Sequence, residues 1–228
     1  MRRDFIANAS HELRTPLTVI NGFLEIAHTQ PDLDPQTRAR HLELMVDQGQ
    51  RMQNLVDDML VLTRLESLDY PVREEVLDMH SLLEQVRAEG EALSAGRHKV
   101  SLEFNGPRLK GSPDELRSAI GNLVSNAVRY TPEGGEIRIR WFENEQGPCC
   151  AVSDTGIGIK PEHIVRLTER FYRVDKGRSR ETQGTGLGLA IVKHVLVRHN
   201  AQLRIESEAG KGSTFTIQFP ALSRVKLA

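Results

Sequence analysis

Apolar residues at Ile6, Ala9, Leu13, Leu17, Ile20, Leu24 and Ala27 recur in steps of three or four. That spacing lines one face of an α-helix, predicted from about Asp4 to about Thr29. Pro31-Asp32-Leu33-Asp34-Pro35 breaks it. A second stripe, Leu42, Met45, Gly49, Met52, Val56 and Met59, predicts a second helix to about Leu65. The pair makes an antiparallel hairpin, and two helices bury too little surface to stand alone. A four-helix bundle formed with a second copy, hence a homodimer, is the expected solution.

His11 lies off the first stripe, about 200° around the helix from Leu13. Glu12 flanks it, and Thr15 follows one turn later, so a nucleophile, a carboxylate and a hydroxyl share one exposed patch. Pro16 has no N–H for the Glu12 carbonyl, which predicts a bend after His11. A zinc protease would need a second histidine where this chain has Thr15.

Thirty basic against thirty-one acidic residues among 228 give a formal charge of −1. No general field for nucleic acid or an anionic membrane surface results, so any phosphate site is local. The two cysteines, Cys149 and Cys150, are adjacent and are expected to be reduced thiols. No apolar run of membrane-spanning length occurs in this sequence, and no charged start followed by an apolar core resembles a signal peptide. A soluble cytoplasmic fragment is expected. Because the helical pattern is already under way ten residues before His11, so is a longer parent.

Ser67 to Glu75 reads as a linker. Beyond it, Val76 to Leu93 reads as a helix, Val100 to Phe104 as a strand, and Gly106 to Gly111 as a turn with a short edge strand. Pro113 to Tyr130 is a long helix with Ser112 as its N-cap. Glu136 to Phe142 and Pro148 to Ser153 read as a hairpin. Helices near Pro161 to Glu169 and Thr185 to His199, then strands at Leu203 to Ser207 and Ser213 to Phe219, complete the pattern. The rhythm is not that of a parallel βαβ sheet, so an α/β sandwich with a mixed or mostly antiparallel sheet is expected.

Four segments of this second unit suit phosphate chemistry. Asn122, Asn126, Arg129 and Tyr130 share one helix face, offering amide oxygens for Mg²⁺ and a cation for phosphate, although a solvated polar face has the same pattern. Asp154-Thr155-Gly156-Ile157-Gly158-Ile159 ends a strand in a carboxylate able to accept from an exocyclic amine, with glycines that admit a flat ring; an ordinary turn reads alike. Gly184-Thr185-Gly186-Leu187-Gly188-Leu189 leads into a helix and suits an anion cradle, without being a Walker A or Rossmann motif. Between these lie Glu169-Arg170-Phe171-Tyr172-Arg173 and a basic stretch with Lys176, Arg178 and Arg180, readable as a lid or as a solvated loop.

Taken together, these residues resemble the sensor histidine kinases. Ser10 to Leu17 is similar to their H box, Asn122 to Pro132 to the N box, Asp154 to Ile159 to the first glycine box, Phe171 to Asp175 to the F box, and Gly184 to Leu189 to the second glycine box, all in family order. Asp4 to Ser10, Asn21 to Glu25 and Arg178-Ser179-Arg180 resemble the phosphate-regulon branch. The resemblance implies a dimerisation and phosphotransfer hairpin at residues 1–67, a linker at 68–75, an ATP-binding α/β sandwich of the gyrase and Hsp90 type at 76–222, and a C-terminal tail at 223–228.

It further implies that His11 receives the γ-phosphoryl group of ATP, with Glu12 accepting or orienting a ring proton. Asn126 would hold Mg²⁺ with support from Asn122. Arg129, Tyr130 and Arg173 would meet phosphates, Asp154 would read adenine beside Gly156 and Gly158, and Gly184, Thr185, Gly186, Leu187 and Gly188 would lie beneath the phosphates. Thr15 would orient water during dephosphorylation of a partner response regulator, whose receiver aspartate takes the phosphoryl group. The implied parent is anchored in the bacterial inner membrane and signals phosphate starvation. A simple ATP hydrolase of the same fold usually carries a water-activating glutamate where this chain has Asn122. A silent scaffold would not need every reactive position filled.

Overall fold

The structure, a computed structural model, describes residues 2–30, 32–67, 71–174 and 184–225. Helices α1 (Arg2–Thr29) and α2 (Pro35–Glu66) form the hairpin. At the start of α2 the Asp34 carboxylate accepts the Thr37 N–H at 2.9 Å and Pro35 takes the first helical position. Helix α1 runs unbroken through Pro16.

The two predicted stripes are only partly covered within one chain. Ala9 is buried, but Ile6, Leu17, Leu24, Leu42 and Val56 remain exposed, Ile6 by 64%. What α2 buries instead is a line the stripe did not include, Leu55, Leu62 and Leu65, which joins the core of the second unit. Helix α2 therefore serves two surfaces. Each of these leucines contributes about 1.5–3 kcal/mol to holding the hairpin against its neighbour.

The second unit contains β1 (Glu75–Leu77), α3 (Met79–Ser94), β2 (Lys99–Asn105), β3 (Arg108–Gly111), α4 (Pro113–Tyr130), β4 (Glu136–Asn144), β5 (Gly147–Asp154), α5 (Pro161–Ile164), α6 (Gly188–Arg198), β6 (Gln202–Glu208), β7 (Gly212–Gln218) and β8 (Arg224–Val225). Five strands form a mixed sheet in the order β2-β4-β5-β7-β6, in which β2 and β4 are parallel and all other pairs antiparallel. Helices α3, α4 and α6 pack together against it. Strand β4 alternates exposed charge with buried Ile137, Ile139 and Trp141, which meet buried Leu116, Ile120 and Leu123 of α4 and Ile191 and Val195 of α6 in one core.

Several boundaries differ from those the sequence suggests. Glu75 to Leu77 form a strand rather than the start of α3, because Asp78 caps that helix by accepting the His80 and Ser81 N–H groups. Strand β3 is central, not an edge, in a small sheet ordered β1-β3-β8. Its partner β8 occupies the region expected as a tail, pairing Leu109 with Arg224. Ser112 stands at the N-cap of α4 without a side-chain cap bond; its N–H donates instead to His199 Nε2 at 3.0 Å. His199 Nδ1 bonds the Val195 carbonyl at 2.8 Å, so the ring is held as the neutral Nδ1–H tautomer. Helix α5 is a single turn, and the expected linker lies partly outside the described residues.

Candidate active site

A cleft of about 530 Å³ opens between the end of α4, the end of β5 and the loop entering α6. Helical spacing on α4 brings Asn122, Asn126, Arg129 and Tyr130 to its wall. Asp154, Gly158, Arg173, Gly184, Thr185, Gly186 and Gly188 join them. These segments are distant in sequence and meet here because β5 is central in the sheet and α4 packs beside α6.

The Asp154 carboxylate accepts the Gly156 N–H at 2.8 Å and feels the backbone N–H of Ser213, the residue opposite it in the β5–β7 register. Burial pushes its carboxyl above the usual carboxylate range, and these backbone donors pull it back. Gly156 is buried behind the carboxylate. The following loop is clamped on both sides: the Ile157 N–H donates to the Tyr130 carbonyl at 3.1 Å and the Gly210 N–H to the Ile157 carbonyl at 2.8 Å.

Opposite this wall, the Phe171 N–H donates to the Gly186 carbonyl at 2.9 Å. Phe171 has φ +62°, an uncommon conformation for a side-chain-bearing residue, and Gly186 has φ +73°. A Cβ on Gly186 would stand 2.9 Å from the Phe171 Cα, so close approach and a left-handed turn both require glycine there. His163 Nδ1 shares a 2.7 Å hydrogen bond with the Tyr172 hydroxyl, and the Arg166 guanidinium lies 4.3 Å from the Tyr172 ring centre. Together they hold Tyr172 on the cleft.

Leu187 differs from its expected role in direct contact: its side chain is fully buried in the core, and only its backbone N–H faces the loop, donating to Thr185 Oγ1 at 3.2 Å. The amide nitrogen of Asn122 donates to the Ser118 carbonyl at 2.9 Å, leaving its oxygen turned toward Gly188. Asn122 and Asn126 thus offer hard, neutral oxygens beside a cation, a donor set that would fit a Mg²⁺ ion. Burial pushes the Arg129 and Arg173 guanidinium groups down from their ordinary range.

His11 and Thr15 are exposed and do not line the cleft. Thr15 Oγ1 donates to the His11 backbone carbonyl at 3.3 Å, and the Glu12 carboxylate pairs with Arg51 at 3.2 Å, so neither is committed to the imidazole. Glu12 and Arg51 nevertheless lie within electrostatic reach of Arg173 on the cleft wall. Among residues not anticipated, Asn54 and Asp58 of α2 reach into the cleft, as do Ser125, Thr131 and Ser213. Their i, i+4 spacing places Asn54 and Asp58 on one face of α2, but only the docking of the hairpin gives that face a destination. Asp175, Lys176, Arg178 and Arg180 lie outside the described residues.

Comparison with known proteins gives two family matches. Residues 1–68 match the His Kinase A (phospho-acceptor) domain, and residues 111–223 the Histidine kinase-, DNA gyrase B-, and HSP90-like ATPase family. The Phosphate regulon sensor protein PhoR of Pseudomonas aeruginosa is 57% identical over 96% of this chain and 50% of its own length. The sensor-like histidine kinase SenX3 of Mycolicibacterium smegmatis is 39% identical over 96% of this chain and 57% of its own. The chain thus spans about half the length of the curated relatives it matches.

Among solved structures, full-length ShkA in complex with AMPPNP superposes with a TM-score of 0.71 at 25% identity, over 98% of this chain and 47% of that one. Acinetobacter baumannii histidine kinase AdeS gives 0.74 at 23% identity, over 92% and 98%. Histidine kinase ThkA, solved in complex with response regulator protein TrrA, gives 0.75 at 20% identity, over 96% and 61%.

Proposed function

We propose, from the premise that this chain belongs to the sensor histidine kinases, that its cleft binds ATP and delivers the γ-phosphoryl group to His11, which passes it to an aspartate of a response regulator. The observation that carries this reading is the convergence of Asn126, Arg129, Asp154 and the Gly184–Gly188 loop on one cleft.

Asp154 accepts from the exocyclic amine of adenine and fixes the ring end of the nucleotide. The loop N–H groups at the start of α6, with Arg129 and Arg173, receive the phosphates. Asn126, with Asn122 in support, would hold a Mg²⁺ ion, which would supply charge neutralisation at the phosphates. One neutral ring nitrogen of His11 attacks the γ-phosphorus, the bond from phosphorus to the bridging oxygen breaks, and ADP leaves. Glu12 swings from Arg51 to orient or accept the proton on the other ring nitrogen. Positioning and charge supply most of the acceleration, as in other phosphoryl transfers.

Dimerisation through the hairpin accounts for the exposed apolar residues Ile6, Leu17, Leu24, Leu42 and Val56, which a four-helix bundle would cover. A response regulator as partner is supported by the TrrA complex of ThkA, whose fold this chain shares. Thr15, one turn from His11, is assigned to orienting water for dephosphorylation of that regulator. Phosphate-starvation signalling rests on the PhoR likeness. No helix among the described residues is long and apolar enough to cross a membrane. Anchoring of a longer parent in the inner membrane is part of the same proposal.

Incubation with γ-labelled ATP and Mg²⁺ tests this reading. Acid-labile, alkali-stable label is expected on the wild-type chain and absent from His11→Gln, which should still bind ATP. Equal labelling of the variant would move the acceptor elsewhere.

A further inference from the structure

One contact across the hairpin has no part in the chemistry above. The Thr185 hydroxyl, in the glycine loop, donates to Asp58 Oδ2 of α2 at 2.6 Å. Arg129, the cation assigned to phosphate, is attracted to the same carboxylate. Asp58 and Asn54 are the only α2 residues on the cleft wall, and both face it from outside the ATP-binding unit. The carboxylate thus takes a hydroxyl donor that a nucleotide phosphate would use, within electrostatic reach of the Arg129 guanidinium.

Its position is enforced rather than incidental. Leu55, Leu62 and Leu65, on the same side of α2, are buried in the core of the second unit. One turn beyond Leu62, Glu66 pairs with Arg170 and lies 3.2 Å from His194 Nε2 of α6. Near the start of α1, Phe5 meets Phe171 at 5.8 Å between ring centres, under the Arg170 guanidinium. A docked hairpin therefore carries Asp58 into the cradle, and α2 docks along the same helix, α6, that the cradle loop opens.

We propose that Asp58 is an intramolecular phosphate mimic: with the hairpin docked as in this structure, its carboxylate holds the Thr185 hydroxyl of the anion cradle, on the cleft wall it shares with Arg129, and competes with the phosphates of the nucleotide. Like charges crowded on one set of donors repel, and the cleft's partial burial strengthens that repulsion. Nucleotide binding and hairpin docking then oppose each other. ATP releases the hairpin, and the released hairpin is free to present His11. This rests on the cleft being the ATP site, and extends that reading from catalysis to its control.

The test compares nucleotide affinity by titration calorimetry in the full chain, for wild type, Asp58→Asn, Asp58→Ala and the neighbouring Asp57→Asn. Asp58→Asn preserves shape and removes the charge; Asp57→Asn removes the same charge one position away, on an exposed side of α2. ATP affinity should rise about tenfold, or about 1.4 kcal/mol, in both Asp58 variants. ADP should gain less, while adenosine and the Asp57→Asn variant should show no change. ATP affinity that is unchanged or weaker in both folded Asp58 variants would overturn the proposal while leaving the ATP site intact. An equal gain for adenosine would also overturn it, because the effect would not be on phosphates. If wild type itself binds no ATP, the ATP-site reading fails, and this inference with it.

Discussion

Replacing Gly158 with alanine isolates what holds the ring-binding wall of the cleft in place. Gly158 has φ +64°, and an added Cβ would stand 1.9 Å from the Glu208 carbonyl oxygen, 2.7 Å from its carbon and 3.0 Å from Ala209 Cα. All three are backbone atoms, so no rotamer relieves the overlap. An ordinary C···O contact lies near about 3.4 Å, so the loop must retreat by roughly 1.5 Å, and the Gly210-to-Ile157 bond of 2.8 Å is lost. The left-handed conformation costs about 1–2 kcal/mol and the lost bond about 1 kcal/mol. Residual strain brings the loss of stability to about 3 kcal/mol.

Gly210→Ala is the control: it has φ +84° but nothing within 4 Å of the added carbon, so only the conformational part, about 1–2 kcal/mol, should appear. Both are measured by urea unfolding followed through Trp141, the only tryptophan, which is buried in the core of the ATP-binding unit and reports on that unit alone. Gly158→Ala should lose about 1–2 kcal/mol more than Gly210→Ala and should bind ATP more weakly. Equal losses in the two variants would refute the argument that backbone contact with the β6–β7 turn positions this wall.

Asp154→Asn should weaken ATP binding by about 10–150-fold, the worth of a charge-assisted hydrogen bond of about 1.5–3 kcal/mol, because the new amide turns a donor toward the adenine amine; unchanged affinity by calorimetry would remove Asp154 from that role. Thr15→Ala should keep autophosphorylation while losing regulator dephosphorylation, and a parallel loss of both in the two assays would end that division of labour. Cys149 and Cys150 are buried, with burial pushing the Cys150 thiol up to about 12 and Cys149 upward as well. Both stay protonated at pH 8 in the folded chain, so alkylation by iodoacetamide should follow the urea unfolding curve; rapid modification of native protein would contradict the buried assignment.

Much of this architecture is legible in the residues. Helix α4 begins at Pro113 and ends at Tyr130, as Pro at the first position and the turn chemistry of Thr131-Pro132 dictate. Strands β4 and β5 follow their alternation, and the phosphate motifs meet in one cleft because each sits at the end of a well-patterned element.

Features decided by distant partners were less visible. Strands β1 and β8, three and two residues long, acquire their identity only by pairing with β3. Helix α6 starts at Gly188 rather than Thr185 because Gly186 must turn left-handed against Phe171. The Ser112 side chain makes no cap bond to α4, and its backbone N–H is instead taken by His199, 87 residues away. The second apolar line of α2, Leu55, Leu62 and Leu65, is masked by its neighbouring dimer stripe, and with it the approach of Asp58 to the cleft. No local pattern encodes which face a helix gives to a second domain.

Locating the phosphoryl group decides whether the cleft phosphorylates the hairpin at one imidazole. After incubation with Mg²⁺ and ATP, the chain would be digested at neutral pH and mapped by mass spectrometry under conditions that preserve P–N bonds. A single phosphohistidine at His11 is the predicted result. Phosphate on any other residue, or release of inorganic phosphate with no modified peptide, would contradict it.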